Sequence, residues 1–326
     1  MPHRIVFLTG GSGFVGARLI PALREAGWTV RALARGDASA ARVAALGAMP
    51  CRGDLADLAA LRSGLDGVTH LLHAAALLRP GGSLPEYRQA NVAGTARLLE
   101  AAQATGVQRF VQIGAAAVVM SEPRPMRDVT EAAPLRFPTF APYIASKAEA
   151  ERLVLGADGH GMATLVLRPP MIWGRGMPLL DMLAADIRAG RFLWVDRGEQ
   201  MTSVCHVSNL CDSALRALDA EAHGMPLFVA DAETTTLREA LSAMLAARGV
   251  TAPGPGRSLP FGLAWAGAGL AEAAWRALRR AGDPPITRQI LRLIGKDFTV
   301  STAAAQGALG WKPATTRLGG LAEMAA

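Results

Sequence analysis

The chain of 326 residues is 51% hydrophobic and 19% charged, and because it holds no run of 18 or more uncharged apolar residues, a membrane-spanning helix is not expected. Its formal charge of +7 comes almost wholly from arginines spread along the chain, and since no basic block is interleaved with aromatic residues, nucleic-acid binding is not expected either. The three cysteines are odd in number and scattered, which indicates reduced thiols; with no signal peptide before the first strand, we expect a cytoplasmic protein of two lobes.

The chain opens with a predicted strand, a glycine turn and a helix. The apolar run 5–8 precedes T-G-G-S-G-F-V-G at 9–16, and Leu19 and Leu23 continue an apolar stripe at helical spacing. Such a turn bends tightly, admits a pyrophosphate close to the main chain and offers it the free N–H groups of a helix start. The alternative is a glycine-rich turn without a ligand. The candidates for binding a dinucleotide here are Gly10, Gly13, Phe14, Val15 and Gly16.

The second predicted strand, 28–33, ends in Ala34 and Arg35, about 20 residues beyond the glycine turn. At this place an acidic side chain would accept from a ribose 2′-hydroxyl, whereas an arginine would pair with a 2′-phosphate. Arg35 therefore favours NADP(H) over NAD(H). The alternative is that Arg35 is a surface arginine neutralised by Asp37.

The next predicted strands, 48–52 and 68–72, carry two further candidate segments at their ends. Asp54, which follows the first, would either cap the next helix or accept from an adenine amino group. The run Ala74–Ala76, which follows the second, is small enough for the main chain to pass close under a dinucleotide. His73 before it is interpreted as a packed histidine at the strand end.

The segment 84–103 is predicted to be a helix containing Asn91, and 109–113 a fifth strand. Strands thus alternate with helices through residue 170, which predicts an α/β fold with a parallel sheet and helices on both faces.

A tyrosine and a lysine four residues apart, Tyr143 and Lys147, begin a second strong motif, Y-I-A-S-K. Because residues four apart lie on one face of a helix, the ammonium would stand near the phenol and favour the phenolate. Tyr143 is therefore predicted to act as a general acid or base, a role worth ~10²–10⁴-fold in rate.

Taken together, these motifs resemble the extended short-chain dehydrogenase/reductases, in the 3β-hydroxysteroid dehydrogenase-like branch. The chain order of the motifs matches, and the resemblance continues through V-C-H-V-S-N at 204–209 and L-G-W-K-P at 309–313, so that it covers essentially the whole chain. It implies a Rossmann doubly wound parallel sheet with a smaller, mostly helical C-terminal substrate lobe. A dimer is a further expectation from the family.

The resemblance also implies roles for individual residues. Tyr143 would exchange a proton with the substrate oxygen, while Lys147 would hold the nicotinamide ribose and lower the tyrosine's pKa. The remaining NAD(P) contacts implied are Asp54, Leu55, Ala74, Ala75, Ala76, Asn91, Pro169 and Ile172.

The chain departs from the family after the fifth strand, where members usually carry a Ser or Thr that bonds the reacting oxygen. Here the stretch 113–118 reads I-G-A-A-A-V, and Ala116 or its neighbour holds that position. Losing one such donor costs ~10²–10³ in rate. Ser121, Thr139, Ser146 or a bound water are the alternatives for replacing it.

Beyond residue 170 the pattern loosens: 173–176 is predicted to be a turn, and helices and short strands follow. We expect 1–172 plus about 202–230 to bind the dinucleotide, and about 173–201 plus 231–326 to form the substrate lobe. The apolar segment 259–278 could cover a lipophilic pocket, lie on a membrane surface with arginines at its end, or be a core helix. Cys205, His206 and Cys211 match no metal-ligand spacing, so no metal site is predicted.

The leading functional hypothesis is an NAD(P)-dependent oxidoreductase that interconverts a secondary alcohol and a ketone on a steroid-like or long-chain oxo substrate. A nucleotide-sugar epimerase or dehydratase is the first alternative, although no basic cluster for a diphosphate is evident in the second lobe. A dinucleotide-binding protein with little or no activity, motivated by Ala116, is the second.

Overall fold

The computed structural model describes residues 4–280 and 282–326. Its strands in chain order are β1 Ile5–Thr9, β2 Thr29–Ala34, β3 Met49–Arg52, β4 His70–His73, β5 Arg109–Ile113, β6 Met126–Val129, β7 Ala163–Arg168, β8 Met171–Trp173, β9 Trp194–Val195, β10 Met201–Thr202, β11 Val204–His206, β12 Met225–Phe228, β13 Thr235–Thr236, β14 Ser258–Leu259 and β15 Phe298–Val300.

The helices in chain order are α1 Phe14–Glu25, α2 Asp37–Ala45, α3 Leu58–Leu65, α4 Leu84–Tyr87, α5 Gly94–Ala104, α6 Pro142–Gly156, α7 Pro178–Arg188, α8 Val207–Asp219, α9 Leu237–Ala246, α10 Phe261–Ala277, α11 Arg288–Ile294, α12 Ala303–Leu309 and α13 Arg317–Ala325. A π-helix, Arg88–Ala93, joins α4 to α5, and a 3₁₀-helix, Ala116–Val119, follows β5.

A seven-stranded parallel sheet organises the molecule, with strand order β12-β7-β5-β4-β1-β2-β3. The chain runs outward from β1 to β2 and β3 and then returns to β4 on the other side of β1. In open parallel sheets such a reversal opens a crevice at the carboxyl ends of the strands. Thr9 and His73, the last residues of β1 and β4, are paired at that crevice.

Both faces of the sheet are covered by apolar helices. One buried cluster joins the sheet to α1, α2 and α8, and the other joins it to α3, α5 and α6. The expectation of a doubly wound α/β fold is therefore confirmed. The physical basis is that strands buried on both faces are almost continuously apolar, as residues 5–8 of β1 illustrate.

Three local predictions differ from the structure. The predicted helix over 84–103 is interrupted by the π-helix, an element that occurs frequently at functional sites. Asp54 does not cap α3; Asp57 does, by accepting from the Ala60 N–H at 3.0 Å. Trp173, placed in a turn, instead ends β8.

The C-terminal part of the chain contributes both to the central sheet and to a separate small sheet. β12 extends the central sheet beside β7, while β10 pairs with β13 and β15 in a separate small sheet. α12 and the fully buried Trp311 belong to the same apolar cluster as α1 and α8, so this portion of the predicted substrate lobe is built onto the nucleotide-binding half. The division into two lobes otherwise stays a prediction. Within the described residues, no helix has the length and apolarity needed to cross a membrane.

Candidate active site

The glycine turn between β1 and α1 is shaped by close approach of the main chain. Gly10 has a φ of +75°, and a Cβ there would lie 2.7 Å from the Ala75 amide nitrogen, while a Cβ on Gly16 would overlap the Gly10 carbonyl. The Gly13 N–H donates to the Gly10 carbonyl at 3.0 Å, and Gly13, as N-cap of α1, has no side chain to cap the helix. Free N–H groups at a helix start above such a cradle fit a dinucleotide pyrophosphate. Phe14 and Val15 begin α1 and are half-buried.

The side chains at the ends of β2 and β3 form the outer edge of this crevice. The Arg35 side chain is 83% exposed, and its Nε lies 3.9 Å from an Asp54 carboxylate oxygen. Asp37, the residue considered as a neutralising partner of Arg35, pairs instead with Arg52. Asp54 also accepts from the Ala56 N–H at 2.9 Å, which fixes the loop rather than the helix.

The end of β4 is held by a buried chain of hydrogen bonds through His73. Its Nδ1 lies 2.6 Å from the Thr9 hydroxyl and its Nε2 lies 3.0 Å from the Thr95 hydroxyl. Thr95 donates its proton to the Asn91 carbonyl at 2.6 Å, and Thr9 accepts from the Ala75 N–H at 3.2 Å. Burial, followed by the charge of Lys147, lowers the pKa of His73 to about 3. His73 is therefore a neutral packed histidine, and it fixes the loop of Ala74, Ala75 and Ala76 over the glycine turn.

Asn91, carried by the π-helix, connects this loop to α6. Its Oδ1 accepts from the Leu77 N–H at 2.7 Å, and its Nδ2 donates to the Ser146 hydroxyl at 3.0 Å. Ser146 in turn donates to the Tyr143 carbonyl at 3.0 Å. Leu55 packs on the same region, within 3.2 Å of the position a Cβ on Gly94 would take.

Tyr143 and Lys147 lie in the first two turns of α6. The Lys147 ammonium donates to the Ile113 carbonyl at 2.9 Å, and burial lowers the pKa of Lys147 to about 8, a shift that Glu151 opposes. Burial also raises the pKa of the Tyr143 phenol above its ordinary value, and Tyr87 adds to that rise. The predicted lowering of the tyrosine's pKa by the lysine is not found in the protein alone, because burial raises the pKa of the phenol.

A contact that sequence reasoning missed holds the start of α6. Gln289 of α11 is 2% exposed; its Oε1 accepts from the Tyr143 N–H at 2.7 Å and its Nε2 donates to the Arg79 carbonyl at 3.2 Å. The Tyr87 hydroxyl donates to the same Arg79 carbonyl, and its ring meets the Tyr143 ring edge-on at 6.3 Å. No local signal marks Gln289, since it lies 146 residues from its partner in sequence.

Residues 114–120, which follow β5, form an apolar wall near Tyr143 and carry no side-chain hydroxyl. Ala116 is fully buried, and its N–H donates to the Pro169 carbonyl at 2.8 Å, whereas Ala115 and Ala117 are slightly exposed. Of the replacement donors considered, Ser146 is already committed to Asn91 and to a backbone carbonyl.

The remaining predicted residues lie next to this wall or outside the site. Ile172 pairs with Cys205 between β8 and β11, and Cys205 and Cys211 belong to the first apolar cluster. The His206 ring packs on Trp173 at 4.6 Å. Apolar and aromatic packing thus accounts for the cysteine and histidine side chains.

Comparison with known proteins agrees with this geometry. The family model described as "NAD dependent epimerase/dehydratase family" matches residues 6–229. A 4-hydroxy-2-methyl-3-oxo-4-farnesyl-3,4-dihydroquinoline-1-oxide ketoreductase of Stigmatella aurantiaca is 40% identical over 97% of this chain and 94% of its own. A 3β-hydroxysteroid dehydrogenase/Δ5→4-isomerase of Mycobacterium tuberculosis (strain CDC 1551 / Oshkosh) is 32% identical over 98% of this chain and 88% of its own.

Among solved structures, DesIV, a dTDP-glucose 4,6-dehydratase from Streptomyces venezuelae with NAD and TYD bound, has a TM-score of 0.75 at 20% identity, covering 98% of this chain and 95% of that one. This likeness is one of fold. The resemblance to the extended short-chain dehydrogenase/reductases that the motifs indicated is thereby confirmed over the length of the chain.

Proposed function

This chain belongs to the NAD dependent epimerase/dehydratase family, and we propose that it is an NADP(H)-preferring oxidoreductase interconverting a secondary alcohol and a ketone on a lipophilic substrate. Its relatives include a ketoreductase and a hydroxysteroid dehydrogenase, which are oxidoreductases of lipophilic oxo or alcohol compounds. The observation that supports the assignment is that Tyr143 and Lys147 lie together in α6, where the Lys147 ammonium donates to the Ile113 carbonyl at the end of β5 and Ser146 is hydrogen-bonded to Asn91.

The protein's own groups supply binding, orientation and a proton. The glycine turn and the start of α1 would hold the pyrophosphate, and Lys147 would hold the ribose next to the nicotinamide, which when bound supplies or accepts the hydride. Because burial raises the pKa of Tyr143, its phenol stays protonated near neutral pH and is in the form that donates to a substrate oxygen. When the enzyme oxidises an alcohol, the Tyr143 phenol must first lose its own proton, so that its oxygen can accept the proton of the substrate hydroxyl.

The preference for NADP(H) is supported by the edge of the crevice. Arg35 is mostly exposed and has only a loose contact with Asp54, whereas Asp37 is engaged by Arg52. A guanidinium in that state is available for a bidentate pair with a 2′-phosphate.

A lipophilic substrate is supported by the composition of the wall near Tyr143. The segment Ala115–Met120 is apolar throughout and buried, and the half-buried Phe140 and Leu293 pack against it. Binding a sugar against these residues would be unfavourable, because its hydroxyl groups would be buried there without hydrogen-bond partners. The farnesyl and steroid substrates of the two relatives are of the expected kind.

Fluorescence titration with NADPH and NADH tests the cofactor assignment. We expect NADPH to bind more tightly, and Arg35→Ser to remove most of that difference; Arg188→Ser, an exposed arginine on α7, is the matched control. Equal binding of the two nucleotides, or tighter NADH binding, would refute the role of Arg35.

Turnover of lipophilic ketones with NADPH tests the chemistry. Tyr143→Phe should reduce kcat by ~10²–10⁴-fold and leave NADPH affinity unchanged, because the phenol oxygen acts on the substrate's proton. An unchanged rate would remove Tyr143 from the mechanism. Turnover of nucleotide sugars but not of ketones would favour the epimerase or dehydratase alternative, and no turnover of either would favour a dinucleotide-binding protein.

A further inference from the structure

The outward face of α10 and the residue that follows it carry three exposed leucines. Leu263, Leu270 and Leu278 are 63%, 74% and 64% exposed, which is high for leucines on one side of one helix. Their spacing of seven and eight residues places them in one stripe about 22 Å long at 1.5 Å per residue. Apart from Arg276, the other exposed positions of α10 are small: Gly262, Ala266, Gly267, Ala273, Ala274 and Ala277.

The acidic residue of α10 does not interrupt this stripe. Glu272 is half-buried and turned toward α11, where its carboxylate accepts from the Arg288 backbone N–H at 2.7 Å and from the Arg288 guanidinium at 2.9 Å. The exposed side of the helix is therefore apolar at this position, and the negative charge of Glu272 is paired with Arg288 on the inward side.

Positive charge gathers at the carboxyl end of the same helix. Arg276, Arg279 and Arg280 are exposed, and none of them forms an ion pair with any residue in 4–280 or 282–326. The Arg280 guanidinium lies 4.9 Å from the centre of the Trp275 ring, and Arg276 donates only to the Glu272 carbonyl. An apolar stripe that ends in unpaired arginines complements an anionic lipid surface, since the arginines are attracted to the negatively charged headgroups.

The inward face of α10 reaches the neighbourhood of Tyr143. Phe261, Ala264 and Ala268 are buried, and the Trp265 ring packs edge-on against Phe140 at 5.3 Å. Phe140 precedes Tyr143 by three residues. A membrane or protein surface bound to the outward face of α10 would therefore be separated from the Phe140 region, next to Tyr143, by the thickness of one helix.

We propose that α10 docks the protein on an anionic lipid bilayer, lying in the interface with its leucine stripe among the headgroups and acyl chains. The inference rests on the proposed function in so far as a lipophilic substrate dissolved in that bilayer would gain a short path to Tyr143. The core-helix interpretation of 259–278 holds only for the inward face of α10, because the leucine stripe is exposed in the folded chain.

A second copy of the chain is the weaker occupant for electrostatic reasons. A parallel pairing of two α10 helices would bring the arginines of both copies together. An antiparallel pairing would place each arginine cluster beside the partner's helix start, which is the positive end of the helix dipole. An anionic bilayer carries neither penalty.

Sedimentation with phospholipid vesicles tests the proposal. The full chain should co-sediment with vesicles of phosphatidylcholine and phosphatidylglycerol and not with phosphatidylcholine alone, and added salt should weaken the binding. Replacing two exposed leucines should weaken the binding at least tenfold, because two large apolar side chains would no longer be buried in the bilayer. The variants are Leu263→Ser with Leu270→Ser, Arg276→Gln with Arg279→Gln and Arg280→Gln, and the control Leu318→Ser, which changes an 82% exposed leucine on α13.

No binding to the anionic vesicles would overturn the proposal, as would equal binding to both vesicle types or equal losses in Leu318→Ser. A dimer in solution that the leucine variant dissociates, without vesicle binding, would assign the face to a second copy instead. Turnover of a short, water-soluble ketone with NADPH is measured on the same proteins and should stay unchanged in the α10 variants. If the wild type turned over no ketone, the proposed function would fail while vesicle binding would still decide the docking.

Discussion

The two sides of the site, the nucleotide side and the substrate side, are built by different means. On the nucleotide side, main-chain contacts at Gly10 and the hydrogen bonds through His73 and Asn91 fix the loops at the ends of β1 and β4. On the substrate side, the wall of alanines and valines after β5 has no side-chain hydroxyl, and Tyr143 is held from outside by Gln289.

The difference indicates where this chain is open to change. Main-chain geometry and a fully paired polar network accept few substitutions, since a lost partner leaves a buried group unsatisfied. An apolar wall accepts many, because it requires volume rather than particular atoms. In the proposed function, we therefore expect the nucleotide side to be specific for one class of ligand and the substrate side to select mainly for the polarity of the substrate.

The largest effect is expected from supplying a hydroxyl on the substrate side, at one of the three alanines that follow β5. Serine introduced singly at positions 115, 116 and 117 should raise kcat about a hundredfold or more at the position facing the reacting oxygen, because one preorganised donor is worth ~10²–10³. At fully buried Ala116 we expect lower thermal stability rather than activity, since the hydroxyl would lack a partner. Steady-state kinetics and melting curves on the three variants decide this, and no rise in any of them would mean that another donor holds the oxygen.

Gly10→Ala should break the nucleotide side. A Cβ would lie 2.7 Å from the Ala75 nitrogen on a residue whose φ is +75°. We expect NADPH affinity to fall about tenfold to a hundredfold, reflecting strain of ~1–2 kcal/mol together with displacement of the loop. Gly27→Ala is the matched control, because Gly27 has a φ of +83° with nothing within 4 Å of the added Cβ. Equal nucleotide affinity in the two variants would contradict the importance of the close approach.

Gln289→Leu should act on the substrate side alone. Removing the acceptor leaves the Tyr143 N–H unsatisfied at a cost of ~1–3 kcal/mol, and we expect kcat to fall about tenfold with NADPH affinity unchanged. Gln289→Glu keeps an acceptor oxygen for that N–H and should recover most of the rate. If both variants lost stability and nucleotide affinity together, Gln289 would be a structural residue and not a positioning one.

Acidification should reveal the nucleotide-side network as a stability effect. The pKa of His73 is lowered from 6.5 to about 3 by burial, so the unfolded chain binds one more proton between these values and stability falls as the pH is lowered through them. At about 1.4 kcal/mol per pH unit, the free energy of unfolding should drop by about 2 kcal/mol from pH 6.5 to pH 5 through His73 alone. Denaturant unfolding of the wild type and His73→Gln should differ in this slope; parallel slopes would mean that His73 is not buried in its neutral form.

Most of the nucleotide side was predictable, because its signals are local. The glycine spacing and the apolar periods specify a strand, a turn and a helix, and parallel strands then bring the ends of β1 and β4 together. The Tyr143 and Lys147 pair could be read in the same way from helical spacing, although the direction of the tyrosine's pKa shift could not, since it depends on burial by residues far along the chain.

The substrate side and the C-terminal packing could not be predicted in this way. Gln289 and Trp311 contact their partners through tertiary packing. The local sequence pattern around them does not reveal which residues these partners are. The π-helix around Asn91 was missed because its sequence is compatible with an ordinary helix, and the contacts of Asn91 with Leu77 and Ser146 are tertiary.

The burial of Trp311 among the side chains of α1 and α8 has a consequence for biogenesis. During vectorial synthesis the first strands and helices leave the ribosome long before the indole that covers them. Although α1, α2 and α8 already cover one face of the sheet, the apolar side chains of α1 and α8 beside the indole therefore stay exposed until residue 311 has been made, and a chain stalled before that tryptophan would present a surface that chaperones recognise.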